Sequence, residues 1–84
     1  MSLKLQLRLT QMAAVHSLQD LFALPGARCH PLTGNFKGMF AVDLVHPYRL
    51  LFSADHDPLP LKADGGLNVG EVTAVLIQGI EDYH

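Results

Sequence analysis

The chain closes on Glu81-Asp82-Tyr83-His84, two carboxylates, a phenol and an imidazole in consecutive positions. Such groups move protons: an imidazole titrates near neutral pH, and a neighbouring carboxylate holds its tautomer and supports its charged form. The apolar run before them (Val72, Ala74, Val75, Leu76, Ile77, Ile80) predicts a buried strand that delivers the cluster at its carboxyl end. Upstream, His30, Lys37 and Arg49 add an imidazole and two cations. Lys and Arg stabilise negative charge growing on a phosphorane while His and Tyr relay protons, so the set as a whole suits phosphoryl chemistry. Each residue alone also has a plainer reading. Terminal residues commonly fray, a loop lysine ordinarily faces water, and an arginine at a strand edge can lay its stem along apolar surface.

Positioning these groups falls to an α+β arrangement. Leu3, Leu5, Leu7 and Leu9 alternate with polar residues, as in a strand, yet Leu5, Leu9, Met12 and His16 lie at helical spacing. The segment consists of good helix formers and meets no Gly or Pro before about Val15, so it is read as a helix. Ser17 and Asp20, three apart and ahead of Leu18, Leu21 and Phe22, read as an N-cap and its N3 carboxylate, and Pro25-Gly26 ends the short helix they begin. Strands follow over 27–30, 39–44, 48–54 and 72–80. Thr33-Gly34-Asn35 forms a turn, Val45-His46-Pro47 a hairpin connection, and 55–70 an exposed loop. Phe40, Val42 and Leu44 fall on one face, against Met39, Ala41 and Asp43 on the other. The expected fold is N-terminal helices packed on one face of a mostly antiparallel four-stranded sheet, in one domain spanning 1–84.

At 84 residues, 49% hydrophobic and 17% charged, the composition is that of a folded protein with a thin core. No run is long enough to span a bilayer and no signal-peptide core follows Met1, which predicts a cytoplasmic protein. The lone Cys29 has neither a disulfide partner nor a CxxC spacing and reads as a half-buried apolar residue. With a net charge of −2 and a pI of about 6.1, nucleic-acid binding would have to depend on a local basic site.

Four ordered blocks carry a resemblance: Leu24-Pro25-Gly26-Ala27-Arg28-Cys29-His30-Pro31-Leu32-Thr33-Gly34; Lys37-Gly38 with Phe40-Ala41-Val42-Asp43; His46-Pro47-Tyr48-Arg49-Leu50-Leu51-Phe52; and Glu81-Asp82-Tyr83-His84. Together they resemble the HigB-type killer-protein branch of the RelE/ParE toxin superfamily, over roughly residues 5–84. The resemblance implies a toxin of a type II toxin–antitoxin pair, neutralised by a helix-turn-helix antitoxin. It further implies a ribosome-dependent messenger-RNA endonuclease that needs no metal or other cofactor. In that reading His30, Arg49, Tyr83 and His84 are catalytic: the histidines share proton transfer as the ribose 2′-hydroxyl attacks the adjacent phosphate, and Arg49 offsets the developing charge. Tyr83 orients or stacks a nucleotide, and Lys37 and Asp82 bind or position substrate. The chain has Thr33 where relatives often carry lysine, and Phe36 at a place that is often basic. Relative to the family it also lacks the strand and helix that ordinarily come first, which suits a truncated chain, a mis-started reading frame, a degenerate toxin, or a protomer that completes its sheet with a second copy as partner.

Two other functions suit the same residues. One is a non-catalytic interaction protein on this fold, a ParE-like gyrase inhibitor or an antitoxin-binding remnant, favoured by the acidic balance and Thr33. The other is metal binding, since His16, His30, His46, His56 and His84 are many for this length, although none has HxH or HxxxH spacing.

Overall fold

The computed structural model describes residues 1–82. The helix-forming N-terminal run makes α1 (Ser2–Ala14), which ends where Val15 turns extended at φ −78° and ψ 154°. Its inward residues are Leu5, Arg8 and Met12, with Arg8 only 5% exposed, while Leu9 and His16 face outward. The buried stripe therefore steps by three and four from Leu5 through a cation, and departs from the predicted Leu5-Leu9-Met12-His16 spacing. Next comes α2 (Leu18–Phe22), capped as its sequence predicts: the Asp20 N–H donates to Ser17 Oγ at 3.4 Å, and the Asp20 carboxylate accepts from the His16 N–H at 3.3 Å.

Four strands form one antiparallel sheet in the order β1 (His30–Pro31), β2 (Met39–Asp43), β3 (Tyr48–Ala54) and β4 (Val75–Asp82). The fold class is thus α+β, as expected, with the helices on one face. Phe40, Val42, Leu44, Leu50 and Phe52 point to that face and meet Leu18, Leu21, Ala27 and Val72 in the main core. Phe40 anchors it, with ring centroids 5.8 Å from both Phe22 and Phe52. Each large apolar side chain buried there contributes about 1.5–3 kcal/mol. Among the described residues, no helix is long and apolar enough to cross a membrane.

Two strand boundaries differ from expectation. The first strand is only His30–Pro31, because Arg28 adopts a left-handed φ of 52° and breaks the extended run. The last strand starts and ends later than 72–80 and is not buried: it is the sheet's edge, with Leu76, Ile77 and Ile80 each 43–53% exposed. Val72 instead packs under α2, its carbonyl accepting the Leu18 N–H at 2.9 Å. An apolar run marks a strand but cannot tell a central strand from an edge.

Candidate functional site

The helix-free face of the sheet carries the polar residues. Strand pairing sets His30 opposite Ala41, Ala41 opposite Leu51, Asp43 opposite Arg49, and Arg49 opposite Glu81. Directly paired residues share a face, and so do residues two apart on one strand. His30, Asp43, Arg49 and Glu81 therefore all project from this side. Spacings of about 4.8 Å between strands and about 3.4 Å per residue set the Cα atoms of His30 and Arg49 about 12 Å apart, a separation their side chains can bridge around a small anion. Beneath them Leu32, Ala41 and Leu51 form a second apolar cluster, flanked by Phe36 and Met39, which supplies a packed floor.

Two adjoining depressions open here, and His30 and Arg49 border both. The larger, about 660 Å³, is lined by Arg28, Asp43, His46, Tyr48 and Cys29 in addition to that pair. The smaller, about 370 Å³, is completed by Thr33, Phe36 and Glu81 with their neighbours Pro31 and Leu32. Arg28 and Arg49, two of the six Lys and Arg residues, thus converge on one concavity in a chain of net charge −2. Asp43 moderates this charge: its carboxylate lies 3.3 Å from Arg28 Nε in an exposed ion pair, a geometry worth little in stability.

The wall that carries Arg28 is pinned from behind. Buried Arg8 of α1 donates from Nε to the Asp43 carbonyl oxygen (2.6 Å), from Nη2 to the Gly26 carbonyl oxygen (2.7 Å) and from Nη1 to Gln11 Oε1 (3.0 Å). The Asp43 N–H donates to the Ala27 carbonyl oxygen at 2.8 Å. In front, His30 Nδ1 lies 2.7 Å from the Arg28 carbonyl oxygen. Cys29, between these residues, is half-buried as expected, and burial pushes its thiol up to about 12, so it stays protonated and unreactive at neutral pH.

Of the residues singled out from the sequence, the fold brings His30 and Arg49 to one site. Lys37 follows the 3-10 turn Gly34–Phe36, is exposed, and lines neither depression. Asp82 ends β4 opposite Tyr48. Tyr83 and His84 lie outside the described residues. Arg8, Arg28 and Tyr48 were not singled out as site residues, and His46 only as one of the five histidines of the metal-binding reading. His46 and Tyr48 join the site because a tight turn, closed by Tyr48 N–H to Val45 O at 2.8 Å, brings the β2–β3 connection to its rim. The one sequence signal for them was adjacency to Arg49. Thr33 and Phe36, both noted as departures from a basic pattern, line the smaller depression and make it the less cationic of the two. Among the described residues, no three of His, Cys, Asp and Glu gather as metal ligands. His56 instead closes the long loop, its Nε2 accepting the N–H groups of Thr73 (3.0 Å) and Ala74 (3.3 Å).

Neither a protein-family model, nor a curated protein, nor a solved structure matches the chain.

Proposed function

We propose that the chain is a small endoribonuclease of the HigB type, the toxin of a type II toxin–antitoxin pair, which cleaves messenger RNA on the ribosome without a metal. The observation that carries this reading is the position of His30 and Arg49 on the shared border of the two depressions. A phosphodiester seated on that border has room for one nucleotide on each side. Arg49 and Arg28 offset the charge that grows on the equatorial oxygens. His30 exchanges the proton of the ribose 2′-hydroxyl, whose oxygen attacks the phosphorus as the bond to the 5′-oxygen breaks. That leaving oxygen takes a proton from a second imidazole; the sequence resemblance has His84 share the proton transfer with His30, without assigning acid or base to either. Tyr48, half exposed at the rim, offers a ring face on which a base can stack. The proposed partners are translating ribosomes with their message and a helix-turn-helix antitoxin, and the proposed compartment is the cytoplasm.

His30→Ala and Arg49→Ala each test the reading. Both variants should fold, judged by far-UV circular dichroism, and each should lose about 10²-fold or more of message cleavage in a translating extract. A wild-type protein that leaves message intact, or a folded double variant that cleaves as well as wild type, refutes it.

A second reading draws on a different observation. The long β4 edge, with Leu76, Ile77 and Ile80 exposed, favours an interaction protein that offers this edge to another chain. A second copy is the partner that the strand's own chemistry supports. Such a copy would cover the exposed Leu76 and Ile77 on one side, and Ile80 on the other, of the bulge that β4 makes at Gln78.

A further inference from the structure

We infer that the main-chain carbonyl of Arg28 is the positioning group for His30: it holds Nδ1 as the protonated ring nitrogen and leaves Nε2 as the basic one. Residue 28 would then contribute through its backbone conformation, independently of its guanidinium.

The argument begins with the hydrogen bond. His30 Nδ1 and the Arg28 carbonyl oxygen are 2.7 Å apart, at the short end for such a bond. A carbonyl oxygen only accepts, so Nδ1 must carry the hydrogen, and in the neutral ring the lone pair is then on Nε2. An imidazole fixed this way can take a proton at Nε2 without turning, and the resulting imidazolium keeps its Nδ1–H on the same carbonyl.

The carbonyl reaches His30 because Arg28 is left-handed, at φ 52°, the one non-glycine residue with positive φ among those described. A long side chain is uncommon in that region, and such a conformation persists only where its surroundings impose it. Here they do. The flanking Gly26 and Ala27 carbonyls are held by Arg8 and by the Asp43 N–H, and the Arg28 side chain is held by the Asp43 carboxylate. Three contacts from two elements, α1 and β2, thus fix residues 26–28, and the consequence is the orientation of one imidazole.

The inference rests on the ribonuclease reading only in making Nε2 the base of the reaction. In that step the 2′-oxygen gives its proton to Nε2 and bonds to phosphorus as the 5′-oxygen departs, which gives His30 the base role and the second imidazole the acid role.

The test separates backbone from guanidinium. Imidazole ¹⁵N shifts, read at alkaline pH where the ring is neutral, report the tautomer of His30 in the intact protein. Wild type is expected to carry Nδ1–H. Arg28→Gly, which tolerates the left-handed conformation, is expected to keep it. Arg28→Val, which does not, is expected to shift the ring toward Nε2–H, and Arg28→Ala serves the same comparison should the valine variant not fold. In cleavage assays Arg28→Gly should lower kcat through the lost cation, and Arg28→Val should lower it further through the misplaced imidazole. Wild-type Nε2–H, loss of Nδ1–H in Arg28→Gly, or its retention in folded Arg28→Val and Arg28→Ala would overturn the inference. If the tautomers behave as expected but wild type cleaves no RNA, the positioning stands and the ribonuclease reading fails.

Discussion

Replacing Arg8 by Met should destabilise the protein by about 2–4 kcal/mol. Arg8 is 5% exposed and makes three hydrogen bonds, two of them to the carbonyls of Gly26 and Asp43 at 2.7 and 2.6 Å. Hydrogen bonds from a charged group contribute about 1.5–3 kcal/mol each, and the two that cross between elements set the upper scale at about 3–6 kcal/mol. Against this stands the cost of desolvating a guanidinium, which a buried methionine of similar length avoids. The balance favours the native arginine because its loss removes the donor from two part-buried charge-assisted hydrogen bonds that tie α1 to the segments at Gly26 and Asp43. A domain of this size is stable by only about 4–13 kcal/mol, so the change removes a large share of the total. The midpoint of thermal unfolding should fall by about 8–30 °C. Arg8→Lys, a point charge without the fork, should recover less than half of the loss. Urea unfolding followed by circular dichroism at 222 nm measures all three proteins. An Arg8→Met variant within about 0.5 kcal/mol of wild type would show that desolvation cancels the hydrogen bonds, and the account of how α1 holds the cleft wall would be wrong.

Two further outcomes follow from the same coordinates. Burial raises the Cys29 thiol to about 12, so between about pH 9 and that value the unfolded chain loses a proton that the folded chain keeps. Stability should therefore fall as pH rises through this window, with Cys29→Ala falling less steeply. Urea midpoints at pH 8 and pH 11 decide it, and identical slopes would contradict the burial. If β4 pairs with a second copy, wild type should sediment as a dimer, whereas Ile80→Lys or Leu76→Lys should sediment as a monomer, because an edge lysine opposes strand addition. Wild type that stays monomeric at high micromolar concentration dismisses the second copy as a partner.

The sequence by itself determined the elements and much of their patterning. Ser17 and Asp20 spell a helix start through local hydrogen bonds, and the alternation at 39–44 assigns faces because side chains in a strand must alternate. The span 48–54 was legible from its run Arg49, Leu50, Leu51 and Phe52 after the Val45-His46-Pro47 connection. His30 and Arg49 were legible as groups suited to phosphoryl chemistry, each with a plainer reading of its own, and it was the family resemblance that joined them in one site. The tertiary structure alone decided their company. Strand register, a long-range property, put His30 and Arg49 on one face, and the loop at Arg28 and the β2–β3 turn brought Arg28, His46 and Tyr48 to the same depression. The inward turn of Arg8 was hidden because helix periodicity favours leucine at the core and cannot foresee two carbonyls waiting for a donor. Neither could the apolar run of β4, which predicted burial, reveal an edge, because a strand's place in a sheet depends on which other strands exist to cover it. Local sequence sets what each segment can be; only the closed fold decides what each side chain meets.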